Sequence, residues 1–397
     1  MKPGIYYVGV QDWDREIFDA LIPTPDGTSY NAYVVVGSEK TTLVESADPE
    51  KWEAYIGNIE ELLNKLNIDR VDYIISHHAE QDHSGSIPLL LERFPEAMVV
   101  TNPKCKIFLM EHLLIPDDKF IVKGDGETLS LGDKTVEFML APWVHWPETM
   151  FSYVREDKML FSCDFLGSHI ATSDLFSTDE ARVYEAAKRY YAEIMMPFRA
   201  QVKKHLKRIR ELGPEMIGPS HGPIHNRPAF ILDAYDEWVS DSSKNLVLIP
   251  YVSMHGSTEK MVNYLTDALI QRGISVQPFN LTYTDLGKIA INLVDAATVI
   301  LATPMVLAGP HPTALHATAV VNCLRPNVKY AGVIGSYGWG GKLVETCVGL
   351  LCNLQAEFLE PVLAKGHPKE EDFAKLEALA DEILRLHTES DLILTDE

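Results

Sequence analysis

Apolar positions in the first part of the chain fall in short, dense runs. Tyr30–Gly37, Thr42–Glu45, Val71–Ser76 and Thr135–Leu140 are rich in β-branched and aromatic residues and predict strands. Met150–Val154 and Met159–Ser162 flank the polar tetrapeptide REDK, a pattern that predicts a hairpin. Apolar residues at helical spacing occur in Pro49–Leu66 and Gly85–Phe94, and again from about Asp179 to Leu212. Strands mixed with helices predict a layered α/β domain.

The pattern changes at Asp241–Asn245 (DSSKN), a short polar linker. Beyond it, strands and helices alternate. Strands are expected at Leu246–Val252, Ser275–Phe279, Thr298–Ala302, Tyr330–Ser336 and near Glu360–Leu363. Helices are expected at Thr258–Arg272, Asp285–Leu293, His311–Leu324, Lys342–Leu354 and Glu370–Leu386. Such regular βα alternation describes a doubly wound parallel sheet. The expected domains are therefore residues 1–243 and 244–397.

Composition narrows the partners. The 397 residues carry 57 Asp and Glu against 35 Lys and Arg, a formal net charge of −22. That surface repels phosphate backbones, so nucleic acid and anionic membranes are poor partners, whereas a small basic electron carrier would be attracted. Cys105, Cys163, Cys323, Cys347 and Cys352 form no CxxC pair, as expected of a reduced intracellular protein with buried thiols. With no apolar leader and no long uncharged apolar run, a cytoplasmic location is expected.

The densest chemical signal is Ser76–Gly85, SHHAEQDHSG, directly after the apolar run VDYII. A polar cluster at a strand's C-terminal end sits where loops carry function. His78, Glu80, Asp82 and His83 are all good ligands for a first-row transition metal. The order His-x-Glu-x-Asp-His resembles the metallo-β-lactamase motif His-x-His-x-Asp-His, with Glu80 in place of the second His, which is the mark of the flavodiiron family. Later residues match the same pattern: His145 in APWVHWPETM, Asp164 in FSCDF and His221 in GPSHG. By this resemblance His78, Glu80 and His145 bind one iron, Asp82, His83 and His221 the other, and Asp164 bridges them. Four imidazoles and three carboxylates without thiolate suit iron, whereas a zinc hydrolase would more typically keep His at position 80.

Weaker resemblances accompany these. His169, in GSHIATS, matches a family histidine beside the irons, and Tyr191, in RYYAEI, matches an aromatic near the substrate pocket, although core packing is an equal reading. His77 should face away from the metals in a structural role. In DWDREIFDA, Asp19 follows Phe18 where the family usually has His, which leaves the pocket wall open.

The second domain's first βα turn reads IPYVSMHGSTEKM. Ser253, His255, Gly256, Ser257 and Thr258 form a hydroxyl-rich loop opening a helix, a phosphate cradle or simply a cap. The absence of GxxxxGK[ST] and GxGxxG disfavours nucleotide hydrolysis and dinucleotide binding. Two further loops resemble flavodoxin-type FMN loops. One comprises Thr303, Pro304, Met305, Val306, Leu307, Ala308 and Gly309; the other comprises Ser336, Tyr337, Gly338, Trp339, Gly340 and Gly341.

The resemblance spans both domains. It implies a metallo-β-lactamase-like αββα sandwich with two irons, followed by a flavodoxin-like domain with FMN. It implies reduction of dioxygen to water or nitric oxide to nitrous oxide in a head-to-tail homodimer or a dimer of dimers. Electrons would come from an external donor: rubredoxin, another flavoprotein or a reduced deazaflavin coenzyme. The alternative is a zinc-dependent hydrolase fused to a flavodoxin module.

Overall fold

A computed structural model describes residues 1–393; the final residues of the expected second domain, 394–397, lie outside the described ones. The chain forms two compact units. The first comprises Met1–Tyr191 and Phe198–Val239, and the second runs from Ser240 onward together with Ala192–Pro197.

Two sheets face each other in the first unit. One runs, in spatial order, Ile5–Tyr7, Tyr33–Val36, Thr41–Val44, Tyr73–Ile75, Met98–Thr101 and Phe120–Val122. The other runs Thr128–Ser130, Thr135–Leu140, Met150–Val154, Met159–Phe161 and Met216–Gly218. Alternate residues of both sheets, among them Tyr33, Val35, Val44, Ile75, Val136, Phe138, Met150 and Val154, merge into one buried core. Helix Trp52–Leu66 adds a buried stripe at i, i+4 and i+8, formed by Tyr55, Ile59 and Leu63. This is the metallo-β-lactamase-like sandwich the sequence predicts.

Strand direction gathers the chemistry. Thr135–Leu140, Met159–Phe161 and Met216–Gly218 run the same way, because two antiparallel steps and one parallel step relate them. The loops after their C-terminal ends carry His145, Asp164 and His221. In the other sheet the loop after Tyr73–Ile75 carries His78 to His83.

Two predicted elements are broken by local chemistry. The run Tyr30–Gly37 is not one strand. Thr28–Tyr30 pairs with Val10–Asp12, and a new strand starts at Tyr33. Between them the Asn31 side chain donates to the carbonyls of Pro219 (2.8 Å) and Gly222 (2.6 Å), tying the break to the loop of His221. The helical stretch Asp179–Leu212 is likewise two helices, Glu180–Tyr190 and Arg199–Leu212, separated by a π turn and a 3₁₀ turn. Pro197 in that gap has no N–H to give and crowds the preceding carbonyl turn.

The second unit is a parallel sheet. Its main strands are Lys244–Tyr251, Ser275–Asn280, Ala296–Val306 and Tyr330–Tyr337. Two short segments, Glu357–Phe358 and Val362–Lys365, share the fifth position. The spatial order is second, first, third, fourth, fifth, the flavodoxin-like arrangement. Pro361, which cannot donate to a ladder, lies in the gap between the two short segments. The expected linker overlaps the first strand, which already starts at Lys244. Helices Ser257–Gln271 and Glu370–Glu389 contribute Met261, Leu265, Leu376 and Ile383 to a core of this unit's own. No helix among the described residues is long and apolar enough to cross a membrane.

His387 offers a test of this core. It is fully buried, with Nδ1–H donating to Asn245 Oδ1 (2.8 Å) and Nε2 accepting from the Thr298 hydroxyl (2.7 Å). Burial, helped by the Lys329 charge, pulls its pKa down to about 4. The unfolded chain therefore binds a proton between about pH 6.5 and 4 that the folded chain refuses, so stability falls as pH drops through that window. Urea midpoints of this unit should decrease from pH 7 to 5, and His387→Gln should flatten the slope; an unchanged slope would remove His387 as its source.

Candidate metal centre and flavin pocket

The loop 76–84 is pinned from several sides. Ser76 Oγ donates to the His78 carbonyl (2.9 Å), Ser84 Oγ to the Ala79 carbonyl (2.8 Å), and Ala79 N–H to Glu148 Oε1 (3.1 Å). Ser46 Oγ also holds the His83 carbonyl. The loop after Met159–Phe161 turns tightly, with Ser162 Oγ donating to the Phe165 carbonyl (2.6 Å) and Gly167 N–H to the Asp164 carbonyl (3.0 Å). Gly222, at φ +78°, is packed so closely on Ser168 that a Cβ would come 2.2 Å from its Oγ. Only glycine fits beside His221.

All seven predicted ligands meet. His78, Glu80, His145 and Asp164 form one group with their ligand atoms within 4.8 Å of one another, and Asp82, His83 and His221 form a second. Asp164 divides its oxygens between the groups. Oδ2 lies 3.3 Å from His78 Nε2 and 3.0 Å from His145 Nε2, while Oδ1 lies 3.2 Å from His83 Nε2. Glu80 Oε2 faces His145 Nε2 (3.0 Å) and His78 Nε2 (3.3 Å), and Asp82 Oδ2 faces His83 Nε2 (3.0 Å) and His221 Nε2 (3.3 Å).

The donor set asks for cations. His83 Nε2 and His221 Nε2 point at each other across 3.0 Å, while His221 Nδ1–H is already committed to the Ser29 carbonyl at 2.6 Å. Both Asp82 oxygens and Asp164 Oδ1 are buried without a hydrogen-bond donor, a costly arrangement unless positive charge sits among them. The protonation preferences say the same. Burial alone would depress His83, yet the carboxylates of Asp82 and Asp164 hold it well above its ordinary range. His145, also opposed by burial, is raised to about 9 by Asp164 and Glu80. Two metal ions would replace those protons and satisfy the orphaned oxygens. Oxygen and nitrogen donors alone, three of them carboxylates, fit iron.

The surroundings sort the weaker candidates. His169 Nδ1 meets Thr28 Oγ1 at 2.8 Å, and its ring packs on Phe18, Tyr190 and His221. Burial and the neighbouring His221 hold its pKa well below the ordinary value, and its nitrogens belong to neither group of ligand atoms, so it borders the cluster without joining it. Tyr191 points into the core instead: its hydroxyl donates to the Trp238 carbonyl (3.2 Å) and its ring packs on Tyr235 and Trp238. Its neighbour Tyr190 takes the position beside His169 and His221, at 4.8 and 5.9 Å between ring centroids. Adjacent tyrosines at a helix end differ by about 100° in direction, which residue type alone does not resolve. His77 faces away from the ligands, held by Glu45 Oε1 and by Ser152 Oγ (2.8 Å).

A cavity of about 500 Å³ opens on the cluster, lined by Arg15, Phe18, Asp19, Tyr30, Glu80 and Asp82 among others. Asp19 stands at the tip of the hairpin Ile17–Phe18/Ile22–Pro23, with φ +50° at Asp19 and +53° at Ala20. Partial burial and the charges of Glu80 and Asp82 raise its carboxyl to about 6.

In the second unit a pocket of about 290 Å³ joins the three predicted loops. Ser253, His255, Ser257, Thr258, Pro304, Met305, Val306, Ser336, Tyr337, Gly338 and Trp339 line it, together with Met254 and Gly366, which sequence reasoning missed. The helix Ser257–Gln271 starts there behind Gly256 at φ +81°, and Thr258 Oγ1 bonds Ser336 Oγ at 2.9 Å. A Cβ at Gly338 or Gly366 would meet nothing within 4 Å, so the walls leave room for a ligand. A helix N-terminus ringed by hydroxyls, beside apolar and aromatic walls, fits a flavin phosphate and ring.

The segment Thr303–Gly309 is not a loop throughout. Its first four residues extend the strand Ala296–Val306, since Thr303 and Pro304 pair with Gly335 and Ser336. Leu307 and Ala308, at φ +51° and +62°, make the tight turn to Gly309–Pro310. Thr303, Leu307, Ala308, Gly309, Gly340 and Gly341 stay outside the pocket wall; Gly341 instead packs under the turn, where a Cβ would lie 2.6 Å from the Ala308 carbonyl.

A dinuclear metal site on a metallo-β-lactamase-like sandwich, joined to a flavodoxin-like sheet, defines a class of flavin-linked metal oxidoreductases. Residues 28–222 match the model of the ODP family beta lactamase. The chain is 32% identical to the flavo-diiron protein FprA2 of Clostridium acetobutylicum, covering 94% of this chain and 96% of that one. It is 34% identical to a nitric oxide reductase of Moorella thermoacetica over 85% of each. The crystallised rubredoxin oxygen:oxidoreductase of Desulfovibrio gigas superposes with a TM-score of 0.92 at 31% identity, covering 97% of both chains. The chain belongs to the flavodiiron protein family.

Proposed function

We propose that the chain reduces a diatomic gas, dioxygen to water or nitric oxide to nitrous oxide, at the cluster centred on Asp164. Residues 1–243 form the metal domain and 244–397 the FMN domain. His78, Glu80 and His145 would hold one iron, Asp82, His83 and His221 the other, and Asp164 would serve both. When bound, the irons would supply two adjacent redox centres for the diatomic, and FMN would carry electrons to them from an external donor.

The rest falls to the protein. Asp164, with one oxygen toward each group, would hold two ions adjacent. Asp19, at the mouth of the cavity, places a carboxyl between solvent and the cluster. Neutral His169 and the Tyr190 ring wall the site and exclude water. Ser257 and Thr258, at the helix N-terminus, would receive the flavin phosphate, and Tyr337 and Trp339 would cover its ring. A small electron carrier with a basic face suits the acidic surface, and a head-to-tail pairing of chains belongs to the same proposal.

One observation carries this reading: imidazole nitrogens and undonated carboxylate oxygens converge in two groups, with Asp164 in the first and reaching His83 of the second. The test is single turnover of protein reduced without air and mixed with each gas. Water from dioxygen or nitrous oxide from nitric oxide is expected; peroxide alone from dioxygen, with no nitrous oxide, would contradict it.

A further inference from the structure

On the Nδ1 side of His78 lies a chain of buried polar groups. Cys163 Sγ is 3.3 Å from His78 Nδ1. Ligand atoms of Cys163, Glu45 and His77 lie within 4.8 Å of one another, and His77 continues to Ser152. All five side chains are buried, and Glu45 Oε2 has no hydrogen-bond partner. Glu45 and Cys163 also share a left-handed backbone, at φ +63° and +54°. Non-glycine residues adopt that region at a cost, and two of them converge here. A third metal is a poor occupant, because both His77 nitrogens are already bonded.

A histidine that ligates through Nε2 carries its proton on Nδ1, and the partner of that proton fixes the ring's tautomer and angle. For His221 the partner is the backbone carbonyl of Ser29. For His78 it is a side-chain sulfur with a carboxylate close behind. We propose that Cys163 is a positioning residue of the metal centre: its sulfur, beside the buried Glu45 carboxylate, accepts the His78 Nδ1–H and aims Nε2 at the ion shared with Glu80 and His145. The two ions are thereby held unequally.

The inference rests on the ligand assignment proposed above, and cobalt(II) serves as a probe that needs no turnover. Full-length protein carrying its flavin is stripped of metal, reloaded with cobalt(II) without air and challenged with a chelator. In Cys163→Ala, one of two cobalt ions should leave at about 10- to 100-fold lower chelator activity, the range typical when a ligand's supporting partner is lost. The other ion should leave as in wild type. Cys163→Ser, which keeps a donor and acceptor at the same atom, should recover most of the difference. The cobalt-shifted, exchangeable Nδ1–H resonance of His78 should exchange faster in the alanine variant and recover in the serine variant.

Equal retention of both ions, equal loss of both, or no recovery with serine would overturn the role of Cys163. Should Cys163→Ala fail to fold, Cys163→Gly, which also removes the sulfur and is at ease at φ +54°, decides: loosening of the same single ion supports the role, and unchanged release overturns it. A wild-type protein unable to hold two cobalt ions would instead overturn the ligand assignment.

Discussion

Asp164→Asn is expected to empty the metal centre of both ions while FMN stays bound. The carboxylate is buried, and its two oxygens serve different groups, with distances of 3.0–3.3 Å to His78, His145 and His83. An amide offers one neutral oxygen and turns an N–H₂ toward imidazoles that need to face a cation. It also removes the charge that offsets two divalent ions in a site closed to water. Losing a partner outside the ligand shell already costs about 10- to 100-fold in metal affinity, so a shared ligand should cost more than about 100-fold at each position. Metal analysis and gas turnover should therefore fall together, with the flavin spectrum intact. An asparagine variant that retained one full metal and half the rate would show that Asp164 does not bridge.

Glu80→Ala should separate the two half-reactions. Among the histidine ligands Glu80 faces His78 and His145, so its loss should release the ion of that group and spare the ion among Asp82, His83 and His221. Flavin reduction should proceed at the wild-type rate, because the proposed FMN pocket lies wholly in the second unit. The terminal step should be lost, leaving slow peroxide release from free reduced flavin. A variant that still formed water or nitrous oxide at the full rate would remove Glu80 from the chemistry.

Much of this was legible in the sequence because chemistry and pattern coincide. His78, Glu80, Asp82 and His83 follow one buried strand, and His145, Asp164 and His221 each follow another, so strand ends and ligand types pointed the same way. The alternation after Lys244 gave the parallel sheet for the same reason: period-2 and period-3.6 segments took turns.

What escaped depends on contacts that no local pattern carries. The break at Asn31 exists because its side chain reaches carbonyls of Pro219 and Gly222, far along the chain. The choice of Tyr190 over Tyr191 as neighbour of His169 follows from the phase of a helix end that passes into a π turn. The strand through Thr303–Val306 read as a loop because Pro304 signals a break, yet it pairs with Ser336 in the finished sheet. Gly366 entered the flavin pocket from the fifth strand position, where the sequence shows only an ordinary turn. Cys163 looked like one more inert thiol until its distance to His78 was known.

The metal and flavin content of the purified chain decides the diiron assignment. Full-length protein isolated without air should contain two irons and one FMN per chain, measured by elemental analysis and by flavin released on denaturation. Mainly zinc, or one metal per chain, would contradict the diiron assignment and return the zinc hydrolase alternative to first place.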